Sequence, residues 1–234
     1  SSLALMEFYG LIQAAGWIAP RWVGMAILLA LLAGAYLRET GTLLALVGIC
    51  LVTLPTLVMF ASPPESTLLP SSAASVFATL YVALGAGAVI GLRTFGWRPI
   101  LFLLLTVWVG DSAAYYVGRR WGKKKLAPVV SPKKTWAGLV GQMIGGTVLG
   151  LLFGVLMRAG LVQILALGVL GAVISGVAVI GDLVESTFKR SSGVKDSGGL
   201  LPGHGGLLDR LDSLLYAAPV LLLIGSYLPQ ALPR

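Results

Sequence analysis

Carboxylates recur at helical spacing at two places in the second half of the chain. Asp182 is followed by Glu185 and Ser186 at positions i+3 and i+4, so the three side chains share one face of a helix. Asp209 and Asp212 repeat the i, i+3 spacing. Four carboxylates at two helix ends could converge on a hard cation such as Mg²⁺, which prefers oxygen ligands. Ion pairing is an equally good explanation, because four basic residues lie nearby in the sequence: Lys189, Arg190, Lys195 and Arg210.

A glycine-rich segment, SSGVKDSGGLLPGHGG, connects these two acidic pairs over residues 191–206. Glycine lets the backbone approach a ligand closely, and exposed backbone N–H groups together with Lys195 and Arg210 can bind phosphate. The segment therefore indicates a polyphosphate site. A flexible linker is the alternative, although linkers do not normally carry Lys195, Asp196 and His204 together. His204 could transfer a proton, donate a hydrogen bond to phosphate, or only order the loop.

A second polar segment, GRRWGKKKLAPVVSPKKTWAG, covers residues 118–138 and contains seven Lys or Arg residues and no acid. Its simplest interpretation is attraction to anionic lipid headgroups, at about 1 kcal/mol per basic residue. It could also form a phosphate-binding wall for an anionic lipid or a nucleoside triphosphate. The two roles are compatible.

Two aspartates, Asp111 and Asp182, lie at or just inside the ends of apolar runs. A charge within a membrane helix costs roughly 3 kcal/mol on insertion scales, so such residues are candidates for function. The alternative is an aspartate that simply reaches the polar interface. Asp182 is the stronger candidate, because Glu185 and Ser186 share its helical face.

The elements that must position these residues are strongly apolar, since the chain has 57% hydrophobic residues, 11% charged residues and a mean hydropathy of +0.91. Soluble domains carry roughly 25% charged residues, so a water-soluble fold is excluded. Long apolar runs without alternation favour helices over barrel strands. We expect an all-α, polytopic transmembrane bundle whose seven spans are residues 22–37, 43–61, 72–92, 99–117, 138–157, 161–184 and 214–228.

Basic residues are unevenly divided between the two sides that these spans define. Twelve lie on one side: Arg21, Arg119, Arg120, Lys123, Lys124, Lys125, Lys133, Lys134, Lys189, Arg190, Lys195 and Arg210. Five lie on the other: Arg38, Arg93, Arg98, Arg158 and Arg234. By the positive-inside rule the richer side is cytoplasmic. The net charge of +8 therefore reflects membrane topology, and nucleic acid is not an expected partner.

The chain divides by content into N-terminal spans, residues 1–110, and a catalytic membrane region, residues 111–234, with cytoplasmic loops 118–136 and 185–212. Residues 1–12 look like half of an apolar segment, so we expect a chain shortened at its N-terminus. The single cysteine, Cys50, excludes a disulfide within the chain. Glycines at i, i+4 spacing, such as Gly141 with Gly145, predict close packing between helices.

Residues 186–212, STFKRSSGVKDSGGLLPGHGGLLDRLD, resemble the signature of the phosphatidate cytidylyltransferases, also called CDP-diacylglycerol synthases. The shared elements are the serine, then KR, KD, HGG and DRxD at the family's spacings. Residues 111–138, DSAAYYVGRRWGKKKLAPVVSPKKTWAG, resemble a second block of this family, and MEFYGL around Glu7 resembles a weaker one. Ala137 departs from the pattern, because members often carry Glu after KKTW.

The resemblance implies transfer of a cytidylyl group from CTP to phosphatidic acid, which gives CDP-diacylglycerol and pyrophosphate. It also implies a requirement for Mg²⁺, alone or with a second cation, and a homodimer surrounded by membrane lipid. The implied site, on the cytoplasmic side of a bacterial inner membrane, agrees with the orientation derived from charge.

On this resemblance we expect Asp182 and Asp209 to bind the same metal ion, and these two residues to be catalytic together with Lys195 and His204. Glu185, Asp196 and Asp212 are expected to support the metal. The residues expected to bind the substrates are Ser186, Lys189, Arg190, Arg210, Asp111, Arg119, Lys133 and Lys134.

Two other functions fit parts of the same pattern. A CTP-dependent kinase acting on a polyprenol-type lipid would use the same nucleotide and release CDP instead of pyrophosphate. A transporter could use Asp111 and Asp182 to line an ion path, but the sequence contains no internal repeat of the block from Lys195 to Asp212. The transporter is therefore the less favoured alternative.

Overall fold

The computed structural model describes residues 1–61, 64–198, 205–228 and 232, and these are almost entirely helical. The helices are α1 (Ser2–Ala14), α2 (Arg21–Leu37), α3 (Thr40–Phe60), α4 (Glu65–Leu92), α5 (Arg98–Trp121), α6 (Trp136–Leu156), α7 (Leu161–Ser191) and α8 (Leu208–Tyr227). A 3₁₀ turn, Arg93–Phe95, follows α4, and two short strands, β1 (Lys125–Ala127) and β2 (Ser131–Thr135), lie between α5 and α6. The predicted all-α membrane fold is confirmed.

Five of the described helices are long and apolar enough to cross a membrane: Thr40–Phe60, Glu65–Phe95, Arg98–Trp121, Trp136–Leu156 and Leu161–Ser191. Helix α2 is apolar but has only 17 residues, and α8 has 20 residues and begins with two acids. Each of the seven predicted spans lies in a helix to within one residue at its end, while their number as membrane crossings stays a prediction.

Helix α3 illustrates why these elements need lipid rather than water around them. Leu44, Val52 and Phe60 are 70%, 68% and 74% exposed, and only 17% of its most apolar window is buried inside the protein. Inside a bilayer such side chains contact hydrocarbon, and the helix satisfies its own backbone hydrogen bonds.

The described chain divides into two compact units, the first of which contains Ser1–Gly91 and Thr187–Leu211. Helix α1 is held in this unit by aromatic contacts of Phe8, whose ring centroid lies 5.2 Å from that of Phe188 and 6.1 Å from that of Phe77. The Tyr9 hydroxyl forms a 2.7 Å hydrogen bond with Oγ1 of Thr79 in α4. Both aromatic residues are buried, so α1 is fixed on two of its neighbours.

The second unit contains Leu92–Ser186 and Asp212–Arg234. Glycines of α6 allow its two neighbours to approach closely: a Cβ atom at Gly141 would lie 2.6 Å from Cβ of Val117 in α5, and one at Gly145 would lie 2.8 Å from Cβ of Ala113. On the α7 side, Gly146 faces the backbone of Gly171 with no room for a side chain. The predicted packing role of these glycines is confirmed.

The strands β1 and β2 form an antiparallel hairpin in which Lys125 pairs with Thr135 and Ala127 pairs with Ser131. Thr135 ends the hairpin and caps α6, because its Oγ1 accepts a 3.0 Å hydrogen bond from the backbone N–H of Gly138. The sequence pattern predicted only a loop here. The hairpin matters for the site, since it carries Lys133 and Lys134.

Two helices continue past the predicted ends of their apolar runs. Helix α5 reaches Trp121 and includes Arg119, and α7 reaches Ser191 and includes Glu185 and Arg190. Hydropathy marks where side chains become polar, whereas a helix continues until its backbone hydrogen bonding stops. The segments expected as loops are therefore partly helical.

Candidate active site

Three carboxylates in the second unit form an acidic cluster. Oxygen atoms of Asp182 and Glu185 in α7 and of Asp212 in α8 all lie within 4.8 Å of one another. Glu185 and Asp212 are 1% and 6% exposed. Like charges at this distance repel and burial adds a desolvation cost, so such a set fits a hard divalent cation that neutralises it. The residues present match the expected chemistry of a magnesium site.

The cluster forms because α7 and α8 touch at a glycine. A Cβ atom at Gly181 would lie 2.5 Å from Cβ of Tyr216 and 3.0 Å from the carbonyl oxygen of Asp212. The next residue of α7 is Asp182, and Glu185 follows one turn later on the same face. Ser186 lies on this face too, and its Oγ donates a 3.3 Å hydrogen bond to Oδ1 of Asp182. The predicted helical face is confirmed.

Lys134 of the hairpin reaches this acidic cluster. Its Nζ lies 2.6 Å from Oδ2 of Asp182 and donates a 3.5 Å hydrogen bond to the carbonyl of Val179. The two charged side chains are 23% and 38% exposed, so the pair is only partly shielded from solvent. Of the seven basic residues in segment 118–138, Lys134 is therefore the one that lies beside an acid of the cluster.

Asp111 belongs to the same unit and lies on α5. Its Oδ1 accepts a 2.8 Å hydrogen bond from Nε2 of Gln142 in α6, and Gln142 is 5% exposed. Asp111 also interacts electrostatically with Asp182 and Lys134. Asp111 itself is exposed, and its role in the site stays a prediction.

Asp209 lies in the first unit and has different surroundings. Its Oδ1 lies 2.5 Å from Nζ of Lys189, and its Oδ2 accepts backbone N–H groups from Ser197 at 3.2 Å and Gly206 at 2.8 Å. Gly205 has a φ of +77°, and a Cβ atom there would lie 2.7 Å from Oδ2 of Asp209. The prediction that Asp182 and Asp209 share one ion stays a prediction.

Glu7 of α1, to which the sequence pattern assigned no role, accepts hydrogen bonds at the start of α8. Its Oε1 accepts a 3.0 Å hydrogen bond from the N–H of Leu207, and its Oε2 accepts from the N–H of Leu208 at 2.7 Å and from Oγ of Ser197 at 3.4 Å. Glu7 is 7% exposed. The sequence did contain one indication of a role for Glu7: a lone acid within an apolar helix needs specific partners.

The remaining predicted residues are exposed or lie outside the described part of the chain. Nη1 of Arg119 donates a 3.2 Å hydrogen bond to the hydroxyl of Tyr115, and Nη1 of Arg190 donates to the carbonyl of Val194 at 3.5 Å. The exposed residues among the predicted set are Asp111, Arg119, Lys133, Arg190, Lys195, Asp196 and Arg210. His204 lies outside the described residues.

Together, these features define the chain as a helical membrane protein with an acidic cluster on two helices and Lys134 beside it. Residues 1–228 match the cytidylyltransferase family, so the chain belongs to that family. The family indicated by the signature over residues 186–212 is thereby confirmed.

Relatives with curated names agree with this family. A phosphatidate cytidylyltransferase of Haemophilus influenzae is 48% identical over 123 residues, which cover 51% of this chain and 43% of that protein. One of Brucella suis is 46% identical over 154 residues, or 66% of this chain and 56% of that protein. One of Staphylococcus saprophyticus is 44% identical over 141 residues, or 60% and 54%. The chain spans about half the length of these relatives.

Proposed function

We propose that the protein transfers a cytidylyl group from CTP to phosphatidic acid, forming CDP-diacylglycerol and pyrophosphate. The observation that carries this proposal is the acidic cluster of Asp182, Glu185 and Asp212 in a member of the cytidylyltransferase family. The names of the similar bacterial proteins support the choice of phosphatidic acid as the acceptor.

Asp182, Glu185 and Asp212 would hold Mg²⁺, since their oxygen donors suit this cation. When bound, the ion would neutralise charge on the phosphates of CTP and on the pyrophosphate that leaves. Asp209 and Asp196 remain predicted additional ligands. With these two residues there are enough carboxylates to bind a second cation.

The reaction needs no protein nucleophile, because a phosphate monoester is already nucleophilic. An oxygen of the phosphatidate phosphate forms a bond to the α-phosphorus of CTP. The bond from that phosphorus to the oxygen bridging to the β-phosphorus breaks, and its electron pair leaves with pyrophosphate. The protein therefore contributes positioning and charge neutralisation rather than covalent catalysis.

Basic side chains are proposed to hold the phosphates during this displacement. Lys134 beside Asp182 and Lys189 beside Asp209 already lie next to predicted metal ligands. The other residues proposed to bind phosphate or lipid headgroup are Arg119, Lys133, Arg190, Lys195 and Arg210. Asp111, Ser186 and His204 would shape the pocket around the two substrates.

The proposed location is the cytoplasmic face of a bacterial inner membrane. The supporting observations are the twelve basic residues on one predicted side against five on the other, and the bacterial origin of the similar proteins. A homodimer in membrane lipid is part of the same proposal, and it rests on the family resemblance.

The direct test is an assay of the purified full-length protein with CTP and phosphatidic acid, with and without Mg²⁺. We expect CDP-diacylglycerol and pyrophosphate in equal amounts, and no product without a divalent cation. Release of CDP together with a phosphorylated lipid alcohol would instead support the kinase. No turnover of either substrate, in a preparation that remains folded, would refute the proposed function.

A further inference from the structure

Two carboxylates from distant parts of the chain bind the same short stretches of backbone. Ser197 donates its N–H to Asp209 and its hydroxyl to Glu7. On the other side, Gly206 donates its N–H to Asp209, while the next two residues, Leu207 and Leu208, donate theirs to Glu7. We call this arrangement the carboxylate clamp. It ties Ser197 to the beginning of α8, where Asp209 lies in the first turn.

The carboxylate clamp is tight enough to exclude larger residues around Glu7. A Cβ atom at Gly198 would lie 2.8 Å from Oε1 of Glu7, and one at Gly206 would lie 2.5 Å from Oε2. Such distances are far below ordinary contact, so any side chain at either position would push the Glu7 carboxylate away from its donors. Packing against Glu7 accounts for Gly198, and packing against Glu7 together with Ser197 accounts for Gly206.

The helix that carries Glu7 is itself rigidly held. The neighbouring residues Phe8 and Tyr9 pack on Phe188 and hydrogen-bond to Thr79, respectively. Gly24 of α2 lies directly against the Tyr9 hydroxyl, where no side chain could fit. Because contacts with α2, α4 and α7 hold α1 in place, Glu7 has a fixed position relative to the groups that it binds.

Hydrogen bonds compensate the burial of the Glu7 carboxylate. A buried carboxylate is costly unless hydrogen bonds compensate it, and Glu7 has two backbone amides and a hydroxyl as donors. The amides belong to the start of α8, where helix N–H groups lack partners within the helix and negative charge is favourable. Glu7 therefore acts as a cap for backbone N–H groups at the start of α8.

We infer that Glu7 is a positioning residue for the transfer reaction. It holds the first turn of α8 and Ser197, and through them it fixes the orientation of the Asp209 carboxylate. The contact geometry is independent of the reaction, but the consequence for catalysis rests on the proposed function. Glu7 itself is not assigned any contact with CTP, phosphatidic acid or metal.

The first test measures the carboxylate clamp without any substrate. In Glu7→Gln, an amide NH₂ replaces one acceptor oxygen and must face a backbone donor. We expect hydrogen exchange of the amides in residues 206–210 of the full-length protein to accelerate by about tenfold or more. Tyr9→Phe is the matched control: it removes the hydrogen bond to Thr79 from the same helix and should leave exchange at residues 206–210 within about twofold. Equal exchange at 206–210 in wild type and Glu7→Gln would overturn the inference.

The second test measures turnover of CTP and phosphatidic acid. Misplacing a group that acts in the transition state lowers kcat with little change in KM. Glu7→Gln should therefore lower kcat about tenfold or more at a KM for CTP within about twofold of wild type. Glu7→Asp should recover part of this loss, because both oxygens of its carboxylate are again acceptors. A kcat no lower than that of Tyr9→Phe would overturn the inference, since a merely structural role would affect both variants through the stability of α1.

A second variant covers the case in which Glu7→Gln does not fold. Gly198→Ala keeps the carboxylate but crowds Oε1 of Glu7, so it should accelerate exchange at residues 206–210 and lower kcat in the same direction. Normal exchange and normal kcat in this variant would contradict the inference. If wild-type protein forms no CDP-diacylglycerol, the proposed function fails, while the exchange experiment still decides whether Glu7 holds α8.

Discussion

The acidic cluster and the carboxylate clamp use the same chemical group in opposite surroundings. In the cluster, oxygens of Asp182, Glu185 and Asp212 lie within 4.8 Å of one another. In the clamp, Glu7 and Asp209 accept hydrogen bonds from backbone amides at 2.7 to 3.2 Å. Carboxylates that face each other repel and are stabilised by a cation between them. Carboxylates that face amides accept hydrogen bonds and stabilise a backbone conformation. Residue type alone does not separate these two roles.

This contrast predicts opposite responses to loss of charge. Removing a carboxylate from the cluster takes away a proposed metal ligand but also relieves repulsion. Removing one from the clamp leaves amide donors without their acceptor. Stability in the absence of Mg²⁺ and activity in its presence therefore distinguish the two regions.

The largest effect is expected for Asp182→Asn. Turnover should fall by at least about a hundredfold, because a group that orients charge in the transition state is lost. Mg²⁺ should raise the Tm of wild type, since a ligand that binds only the folded state stabilises it, and should raise the Tm of the variant much less. Near-normal turnover with an unchanged response to Mg²⁺ would remove Asp182 from the metal site.

Asp209→Asn should lower turnover to no greater extent than Asp182→Asn, yet it should differ in stability. The variant loses the charged partner of Lys189 and weakens two amide hydrogen bonds, interactions of roughly 1.5–3 kcal/mol for bonds to a charged group. Its Tm without Mg²⁺ should therefore fall below that of Asp182→Asn. If the two aspartates share one ion, both variants also lose the response of Tm to Mg²⁺, and a full response in Asp209→Asn would contradict sharing.

Lys134→Ala should have an intermediate effect on turnover. Its ammonium lies 2.6 Å from Asp182, so we expect kcat/KM for CTP to fall about tenfold as charge neutralisation is lost. The matched control is Lys123→Ala, an exposed lysine of the same segment, which should change kcat/KM by less than about twofold. Equal losses in the two variants would indicate a diffuse basic surface rather than a specific role for Lys134.

The smallest effect is expected for Thr135→Val, which keeps the side-chain shape but removes the cap of α6. The free energy of unfolding should fall by about 1 kcal/mol, the usual contribution of an N-cap hydroxyl. Turnover should fall less than in Lys134→Ala, because the hairpin remains and only its junction with α6 is weakened. Thermal unfolding and kcat are measured on the same preparation. A kcat lower than that of Lys134→Ala would contradict this expectation.

Much of the fold could be predicted because it depends on local sequence. Apolar runs of sufficient length must form helices in lipid, since no water is available to satisfy the backbone there. The shared face of Asp182, Glu185 and Ser186 follows from helical spacing, and the packing glycines of α6 follow from their i, i+4 pattern. The family was recognisable from residues 186–212, where residue types and spacings are specific.

The sequence by itself therefore determined the helices, the family and the inventory of charged residues, because each of these is a property of neighbouring positions. Only the tertiary structure decided which charges meet. Asp212 reaches Asp182 and Glu185 because Gly181 lets α7 touch α8, and Lys134 reaches Asp182 because a hairpin turns it inward. Glu7 meets Leu207 and Leu208 across some two hundred residues of chain. Such contacts depend on how helices pack, and spacing along one helix carries no information about its neighbour.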